Sequence, residues 1–459
     1  MASRFSQLSL HARTSLSSPY TRLVTPAWKS RQCLQHLRAL SSTPIYLEEK
    51  ATSKIPPPPA DFDDDPIPLT TSPKKAPKTV GFNQHLPLAH ELQGYLRSLM
   101  MQFRAPVRYA FAYGSGVFSQ GAAAARASGK KPMIDLMFGV TYTQHWHSLN
   151  LGQHRDHYSF MGTLGSGAIS YVQDKMGAGV YFNPYVEING TLVKYGVTNI
   201  DTLSRDLKTW DTLYLAGRLQ KPVQILRDDP SITLSYQANL IAATRTALLM
   251  LPERFTEYQL YSTITGISYL GDPRMSVGAE NPNKIDNIVD NQLAHFRLLY
   301  GKVIEQLPNL SYEKGGGQEW SDRAQQTWLV QDMSPSKRAN MVRRLPTSFR
   351  EKLYFQYQRK FAIPALEFEK MVNLSEDDER VASKQGGEFE KRIVEGGTDE
   401  MADKVKKVIK STISWPSTAQ SLKGVLTAGP VRSAKYLTEK MGKWRRGGKA
   451  KVEEKTKEN

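Results

Sequence analysis

Residues 109–116 read Tyr-Ala-Phe-Ala-Tyr-Gly-Ser-Gly, and residues 133–138 read Met-Ile-Asp-Leu-Met-Phe. Each run has the apolar, aromatic-rich composition of a buried strand, and the first ends in a Gly-Ser-Gly turn. A strand that ends in Gly-Ser and opens a helix presents backbone N–H groups, which suit the phosphates of a nucleotide. Asp135, on the second strand, is placed to hold the Mg²⁺ that bridges a triphosphate. This layout predicts a nucleotidyltransferase site.

The motif alone leaves two interpretations open. The usual nucleotidyltransferase pattern has carboxylates at positions i and i+2, which point to the same face of a strand. The residue two positions after Asp135 is Met137, so a second metal ligand would have to come from elsewhere. The candidates for it are Glu187, Asp201 and Asp206. The other interpretation is that Asp135 is a structural acid at the end of a strand.

The charge of the chain is concentrated at its two ends. The 459 residues have a formal net charge of +17. Residues 1–47 contain five Arg and one Lys and no acid, and residues 403–459 contain fifteen Lys and Arg against five acids. The part between them is close to neutral, whereas a nucleic-acid-binding protein usually carries a basic face on its folded body. We therefore expect no nucleic-acid partner. No apolar run reaches the roughly 18 residues of a spanning helix.

The N-terminal part has the composition of a targeting segment. Residues 1–47 spread their arginines among Ser, Leu and Ala, and the first acid is Glu48. This pattern predicts a mitochondrial presequence, with a disordered basic tail as the alternative. The one cysteine, Cys33, lies inside it, so the mature protein is expected to have no thiol chemistry. Residues 48–80 follow as a proline-rich, acidic linker, because consecutive prolines exclude a helix.

Periodicity predicts an α+β fold with a small mixed sheet. Residues 81–226 form the predicted nucleotidyltransferase domain, in which alternating runs flank Asn189-Gly190, a strong hairpin signal. The pattern becomes helical at Asp229-Pro230 and predicts a helical domain over residues 227–330. Residues 331–400 are predicted to be a more loosely ordered helical region. Predicted helices cover Leu88–Met101, Ser231–Leu251, Thr256–Leu270 and Ile285–Leu307.

Four histidines, His145, His147, His154 and His157, lie close together in the sequence. Their spacings do not match a two-plus-two zinc site, and no cysteine or closely spaced acid completes a ligand set. We therefore interpret them as packing or phosphate-contacting residues. Arg218, Lys221 and Lys194 place cations near the end of the first domain, where they either bind phosphate or are exposed charges without a role.

Residues 401–459 are predicted to be a basic amphipathic region that binds membranes. The first apolar stripe comprises Met401, Val405, Val408 and Ile409. The second comprises Ala434, Leu437, Met441 and Trp444, flanked by Lys435, Lys440, Lys443, Arg445 and Arg446. A basic amphipathic helix with a Trp at its edge suits an anionic lipid surface. The alternative is a helix docked on the body of the protein.

Several motifs together resemble those of the mitochondrial translocator assembly and maintenance family, which are CDP-diacylglycerol synthases (phosphatidate cytidylyltransferases). The likeness covers about residues 85–305 and a short block at residues 423–429. The block of residues 213–222 is the strongest part of this likeness. The motifs are Phe111-Ala-Tyr-Gly-Ser-Gly-Val-Phe, Asp135-Leu-Met-Phe, Trp146-His-Ser-Leu-Asn, His157-Tyr-Ser, Lys194-Tyr-Gly-Val, Leu213-Tyr-Leu-Ala-Gly-Arg-Leu-Gln-Lys-Pro, Gly271-Asp-Pro-Arg-Met and Lys423-Gly-Val-Leu-Thr-Ala-Gly.

This resemblance implies a nucleotidyltransferase domain followed by a winged-helix-like domain. It also implies an enzyme that converts CTP and phosphatidic acid to CDP-diacylglycerol and pyrophosphate, with Mg²⁺ as cofactor, in the synthesis of cardiolipin. The implied location is the matrix side of the mitochondrial inner membrane, as a peripheral protein on its anionic lipid surface. A catalytically inactive scaffold for a translocase or inner-membrane complex, and a nucleotidyltransferase acting on RNA, are the alternatives. Self-association into a homo-oligomer is left open.

The resemblance also implies roles for individual residues. The implied catalytic residues are Asp135, which holds Mg²⁺, and Ser115, which contacts the triphosphate of CTP. The residues implied to bind CTP are Gly114, Ser115, Gly116, Lys194, Arg218 and Lys221. From the charge pattern, the residues expected to bind the membrane are Leu437, Met441, Trp444, Lys440, Lys443 and Arg445.

Overall fold

The computed structural model describes residues 81–118, 133–276, 281–313, 327–372 and 387–429. The predicted presequence, the linker and the second apolar stripe, with its membrane-binding residues, lie outside the described residues. Residues 119–132, where the helix predicted after the Gly-Ser-Gly turn would continue, also lie outside the described residues. Within the described ranges, every helix is too short or too polar to cross a lipid bilayer.

A five-stranded mixed sheet lies at the centre of the first half of the structure. In spatial order its strands are β3 (Val180–Ile188), β4 (Thr191–Asn199), β2 (Ile134–Val140), β1 (Tyr109–Tyr113) and β5 (Gln224–Arg227). Strands β2 and β4 are parallel, and the other neighbours are antiparallel. The predicted α+β class with a small mixed sheet is therefore confirmed.

The hairpin predicted at Asn189-Gly190 joins β3 and β4. Both turn residues have a positive φ, 48° at Asn189 and 72° at Gly190. Two-residue hairpin turns of this kind need left-handed backbone at both positions, which Asn and Gly adopt at least cost. The local sequence therefore sets this register, which a bulge then shifts between Asn183 and Val186.

Among the described residues, the first half contains four α-helices. The polypeptide enters the second half through a helix with a capped N-terminus. The four are α1 (His90–Met100), α2 (Thr143–Gln153), α3 (Gly165–Lys175) and α4 (Ile200–Thr209). The next helix, α5 (Pro230–Met250), has proline at its first position. The Asp229 side chain accepts a hydrogen bond from the Ser231 backbone N–H at 3.0 Å. This N-cap explains why the helical pattern begins where the sequence predicts it.

The second half adds a small antiparallel sheet and further helices. Strands β6 (Arg254–Thr256), β7 (Leu310–Tyr312) and β8 (Trp328–Gln331) pair in the order β6-β8-β7. The helices are α6 (Glu257–Ile267), α7 (Pro273–Ser276), α8 (Lys284–Gln306), α9 (Pro335–Arg343), α10 (Thr347–Phe361), α11 (Ala365–Val372), α12 (Glu388–Glu395) and α13 (Thr398–Ala428).

The region predicted to be loosely ordered is helical and, where described, packed. In α10, Phe349, Leu353 and Tyr357 are completely buried. Buried hydrophobic residues from both halves belong to one continuous cluster. The division near residue 226 falls between β5 and α5, within this shared core, and it stays a prediction.

The first apolar stripe of the C-terminal region does not face a membrane. Met401, Val405, Val408 and Ile409 on α13 are at most 1% exposed. Helix α13 packs against α5 and α10, so these side chains fill the protein's own core. The assignment of this part of residues 401–459 to a membrane surface is therefore wrong. An apolar stripe has the same sequence pattern whether protein or lipid covers it.

Candidate active site

Asp135 is the residue of β2 that remains partly accessible, since every other residue of that strand is buried. It pairs with Tyr113 of β1 and with Lys194 of β4. Paired residues of neighbouring strands point to the same face of a sheet, so the three side chains lie together. Lys194 Nζ lies 3.7 Å from Asp135 Oδ1, and the two side chains are 19% and 21% exposed. A carboxylate and an ammonium group thus meet where solvent reaches the sheet.

The Gly-Ser-Gly turn packs against this carboxylate. Gly114 has a φ of +82°, in the left-handed region, and a Cβ placed on it would lie 3.0 Å from Asp135 Oδ2. A Cβ on Gly116 would lie 2.6 Å from the Met133 carbonyl oxygen. Glycine is required at both positions, for conformation at the first and for close approach at the second. Ser115, between them, is exposed.

Met137 occupies the position at which the usual nucleotidyltransferase pattern has a second carboxylate, and it is fully buried. It pairs with Gly196 of β4. A Cβ on Gly196 would lie 2.9 Å from Met137 Sδ and 2.6 Å from Phe182 Cε1, so these two side chains fill the space above the glycine. Lys194 Nζ lies 4.6 Å from the centroid of the Phe182 ring. The face beside Asp135 is therefore apolar, with a cation resting on an aromatic ring.

Arg218 brings a second cation to the same aromatic ring. Its guanidinium carbon lies 5.7 Å from the Phe182 centroid, 5.8 Å from that of Tyr113 and 4.0 Å from that of Tyr214. Its Nη1 donates a hydrogen bond of 2.6 Å to the Tyr214 carbonyl oxygen. Aromatic faces on several sides fix the guanidinium without neutralising its charge, which suits it to bind an anion.

Lys221 is a third cation, held by neutral groups. Its Nζ donates hydrogen bonds to the Gly217 carbonyl oxygen and to Ser268 Oγ, the latter at 2.7 Å. Burial lowers the pKa of Lys221 to about 7, and the charges of Arg218 and Lys284 lower it further in the same direction. A lysine with this pKa gains charge when an anion binds beside it.

Asp206 organises the loop that carries Arg218 and Lys221. It is buried at the end of α4. Its carboxylate accepts hydrogen bonds from the backbone N–H groups of Thr212, Leu213, Leu215 and Ala216, at 2.8, 3.0, 2.9 and 3.0 Å. Both oxygens are therefore committed to backbone donors. The suggestion that Asp206 is a second metal ligand is wrong, and sequence analysis missed its positioning role.

The other two proposed ligands are exposed and belong to other elements than Asp135. Glu187 is exposed close to the tip of the β3–β4 hairpin, where it pairs with Leu192. Asp201 is exposed in the first turn of α4. Asp135 is the carboxylate whose contacts with the turn and with Lys194 the structure gives, and a ligand role for Glu187 or Asp201 stays a prediction.

Two of the four histidines, His147 and His157, are buried packing residues behind the sheet, whereas His145 is exposed and His154 is half-buried. The prediction that no closely spaced acid accompanies them is wrong, because the ligand atoms of His154, Asp156 and His157 lie within 4.8 Å of one another. Tyr195 follows Lys194 in β4 and so points to the opposite face. His157 Nδ1 lies 3.0 Å from the Tyr195 hydroxyl oxygen. His147 is buried between the Tyr158 hydroxyl, at 2.9 Å, and Gln173 Oε1, at 2.8 Å. Burial lowers the pKa of His147 to about 4, so this ring is neutral and serves as a hydrogen-bonded core residue.

Comparison with known proteins places most of the chain in one group. The family model for mitochondrial phosphatidate cytidylyltransferase matches residues 96–443. The chain is 36% identical to the protein of that name from Schizosaccharomyces pombe over 368 residues, which is 79% of this chain and 86% of the relative. It is 35% identical to the Mus musculus protein of the same name over 359 residues, 78% of this chain and 96% of the relative. The Saccharomyces cerevisiae protein of that name is 45% identical over 237 residues, 51% of this chain and 61% of the relative.

Proposed function

The chain belongs to the mitochondrial phosphatidate cytidylyltransferase family, and from that membership we propose that it transfers the cytidylyl group of CTP to phosphatidic acid. The observation that carries the proposal to particular residues is the meeting of Asp135 with Lys194 beside the Gly114 turn. Both substrates are anions. The site offers Lys194 and Arg218 as cations near Asp135, together with Lys221, a lysine that gains charge when an anion binds.

Asp135 is the residue that we assign to Mg²⁺. Its carboxylate is a hard oxygen ligand, partly accessible to solvent. Protein Mg²⁺ sites commonly use one or two carboxylates, with the remaining positions filled by water and substrate phosphates. One carboxylate beside Met137 therefore fits such an ion. When bound, Mg²⁺ supplies positive charge that offsets the charge of the triphosphate.

The side chains of this site bind and orient the two phosphate groups. An oxygen of the phosphatidic acid phosphate forms a bond to the α-phosphorus of CTP, and the bond from that phosphorus to the bridging oxygen of the β-phosphate breaks. Pyrophosphate leaves with the electron pair. A phosphomonoester is already ionised near neutral pH, so the step needs no general base. Lys194, Arg218 and Lys221 reduce the repulsion between the two anions and stabilise the charge that develops on pyrophosphate.

The finer assignments rest on the same membership and on the sequence. We propose a nucleotidyltransferase fold for the five-stranded sheet and its helices, and a winged-helix-like fold for the helices with the three-stranded sheet. We also propose Mg²⁺ dependence, import by residues 1–47 and peripheral attachment to the matrix side of the inner membrane. Residues 434–446 are proposed to contribute to that attachment through their basic charge.

The experiment that tests the function follows label from α-³²P-CTP with Mg²⁺. Phosphatidic acid in vesicles and RNA are offered separately as acceptors. We expect label in CDP-diacylglycerol and release of unlabelled pyrophosphate. Label in RNA would favour the other nucleotidyltransferase activity. Absence of transfer to either acceptor by folded protein would favour an inactive scaffold.

A further inference from the structure

The outward side of α13 carries an apolar stripe. Between Ser411 and Gly429 the only charged residue is Lys423, and it is buried, with 1% exposure. Trp415, Leu422 and Leu426 are 75%, 68% and 40% exposed. Their spacing of seven and four residues places them on one face of a helix. This end of the helix thus presents an uncharged, apolar face to its surroundings.

A neighbouring 3₁₀-helix extends this apolar surface. The helix Phe160–Leu164 exposes Phe160 and Leu164 by 54% and 60%. Ser159, immediately before it, donates a hydrogen bond from Oγ to the Leu426 carbonyl oxygen at 3.2 Å. The 3₁₀-helix therefore begins against the end of α13. We call the surface formed by Phe160, Leu164, Trp415, Leu422 and Leu426 the apolar ridge.

The apolar ridge begins next to the loop that carries Arg218 and Lys221. Ser414 Oγ donates a hydrogen bond to the Gly271 carbonyl oxygen at 3.2 Å. Two residues before Gly271, the ring of Tyr269 has its centroid 5.4 Å from Lys221 Nζ. Trp415, the first residue of the ridge on α13, therefore adjoins the segment that borders the phosphate-binding cations. A surface that contacts the ridge is also brought close to the site.

We propose that the apolar ridge inserts into the interface of a phosphatidate-containing bilayer and holds the site at the membrane surface. The inference rests on the proposed function, because it requires a substrate that resides in lipid. An uncharged face suits the acyl boundary, where a charged side chain is costly, and Trp is favoured at that depth. The following residues 430–459 contain ten Lys and Arg against four acids, which complements anionic headgroups. The ridge would contact the lipid through apolar side chains, whereas residues 430–459 would attract headgroups through their charge.

The test uses the full-length protein and two matched double variants. Leu422→Gln with Leu426→Gln removes apolar surface from the ridge. Thr418→Gln with Ser421→Gln places the same side chain on exposed polar positions of the same helix. We expect the ridge variant to bind phosphatidylcholine vesicles containing phosphatidic acid roughly tenfold more weakly, because apolar burial is lost. The control should bind like the wild type. High salt should not change the difference in vesicle affinity between the ridge variant and the wild type, since salt screens charges.

Turnover on two substrates separates the ridge from the site. The ridge variant should lose activity on phosphatidic acid in vesicles and keep it on a short-chain, water-soluble phosphatidic acid. Equal loss on both substrates would overturn the proposal by assigning the residues to catalysis. Unchanged vesicle binding would overturn it directly. If light scattering gives the ridge variant half the molecular mass of the wild type, two copies of the protein pair through the ridge. That result would also overturn the proposal.

Two further readouts keep the outcome decisive. If the double variant melts early, the single substitution Trp415→Gln, at the most exposed position, replaces it in the same assays. If the wild type binds vesicles through the ridge but transfers nothing to either phosphatidic acid, the proposed function fails while membrane docking stands. Vesicle binding and turnover therefore test the two proposals separately.

Discussion

Lys194 Nζ and Asp135 Oδ1 lie 3.7 Å apart across the parallel strands β4 and β2. The strand register itself sets this relationship, because the two residues are direct partners in the sheet. A lysine so placed lowers the local negative charge before any phosphate arrives. It also provides a positive charge next to the carboxylate that we assign to the metal ion, so that both can act on the same triphosphate.

We expect Asp135→Asn to reduce cytidylyl transfer by roughly 10²–10³-fold while the protein stays folded. The amide has nearly the same shape but lacks the charge that holds Mg²⁺. Turnover across a Mg²⁺ titration, beside a thermal melt, checks this. Asp201→Asn, at an exposed acid of α4, is the matched control and should behave like the wild type. Near-normal transfer by Asp135→Asn would remove this residue from the site.

Asp206→Asn should lower stability, unlike Asp135→Asn. The new amide nitrogen would face backbone N–H groups, from which the carboxylate accepts hydrogen bonds in the wild type. The loss should lower the free energy of unfolding by about 1–3 kcal/mol. Because these donors belong to the loop that carries Arg218 and Lys221, transfer should fall as well. Urea unfolding and turnover of the same preparation measure both effects. Wild-type stability would show that the loop does not depend on this carboxylate.

CTP binding should take up protons above neutral pH, through Lys221. The pKa of this lysine is lowered to about 7, so at pH 8 it is mostly neutral in the unliganded protein. A bound phosphate favours the charged form and raises the pKa, which draws a proton from solution. Calorimetry at pH 8 in two buffers with different ionisation enthalpies gives the number of protons. Lys221→Gln should abolish the buffer dependence, and its persistence would assign the uptake to another group.

Lys423 should make stability rise with pH. Burial lowers its pKa to about 7, against the opposing charge of Asp174. Between pH 7 and the ordinary lysine value, the unfolded state binds the extra proton, so the free energy of unfolding increases with pH. The free energy of unfolding of the wild type, relative to that of the Lys423→Met variant, should therefore increase by up to about 1.4 kcal/mol per pH unit. Unfolding at pH 7, 8 and 9 measures this, and parallel curves would contradict it.

The sequence predicts best where local chemistry determines structure. Asn189-Gly190 specifies its hairpin through backbone conformation at two adjacent residues. Asp229-Pro230 specifies a helix start through one side-chain cap. The strand pairing that brings Asp135 to the Gly-Ser-Gly turn can also be predicted from the sequence, because two apolar runs about twenty residues apart suggest neighbouring strands.

Prediction fails where one residue type serves two purposes. A carboxylate that binds metal and one that accepts hydrogen bonds from backbone N–H groups look the same in sequence, so Asp206 counted among the candidate metal ligands. The buried stripe at Val405 and the exposed stripe at Leu422 lie on the same helix with similar composition. Only tertiary packing distinguishes them. In the sequence, Met137 stands out as the absence of an expected acid. In the structure, it packs with Phe182 over Gly196.

The contact of Lys423 with the end of α3 has a consequence for the order of folding. Its Nζ donates to the carbonyl oxygens of Val172, Gln173 and Met176, at sequence separations of 251, 250 and 247 residues. Gln420 likewise donates to the carbonyl of Val180 at the edge of the sheet. In a chain that emerges N-terminus first from a ribosome or a translocation pore, these early acceptors lack their partners until nearly all of the polypeptide has arrived. Contacts of such long range slow folding. The edge of the first-synthesised sheet is therefore completed last.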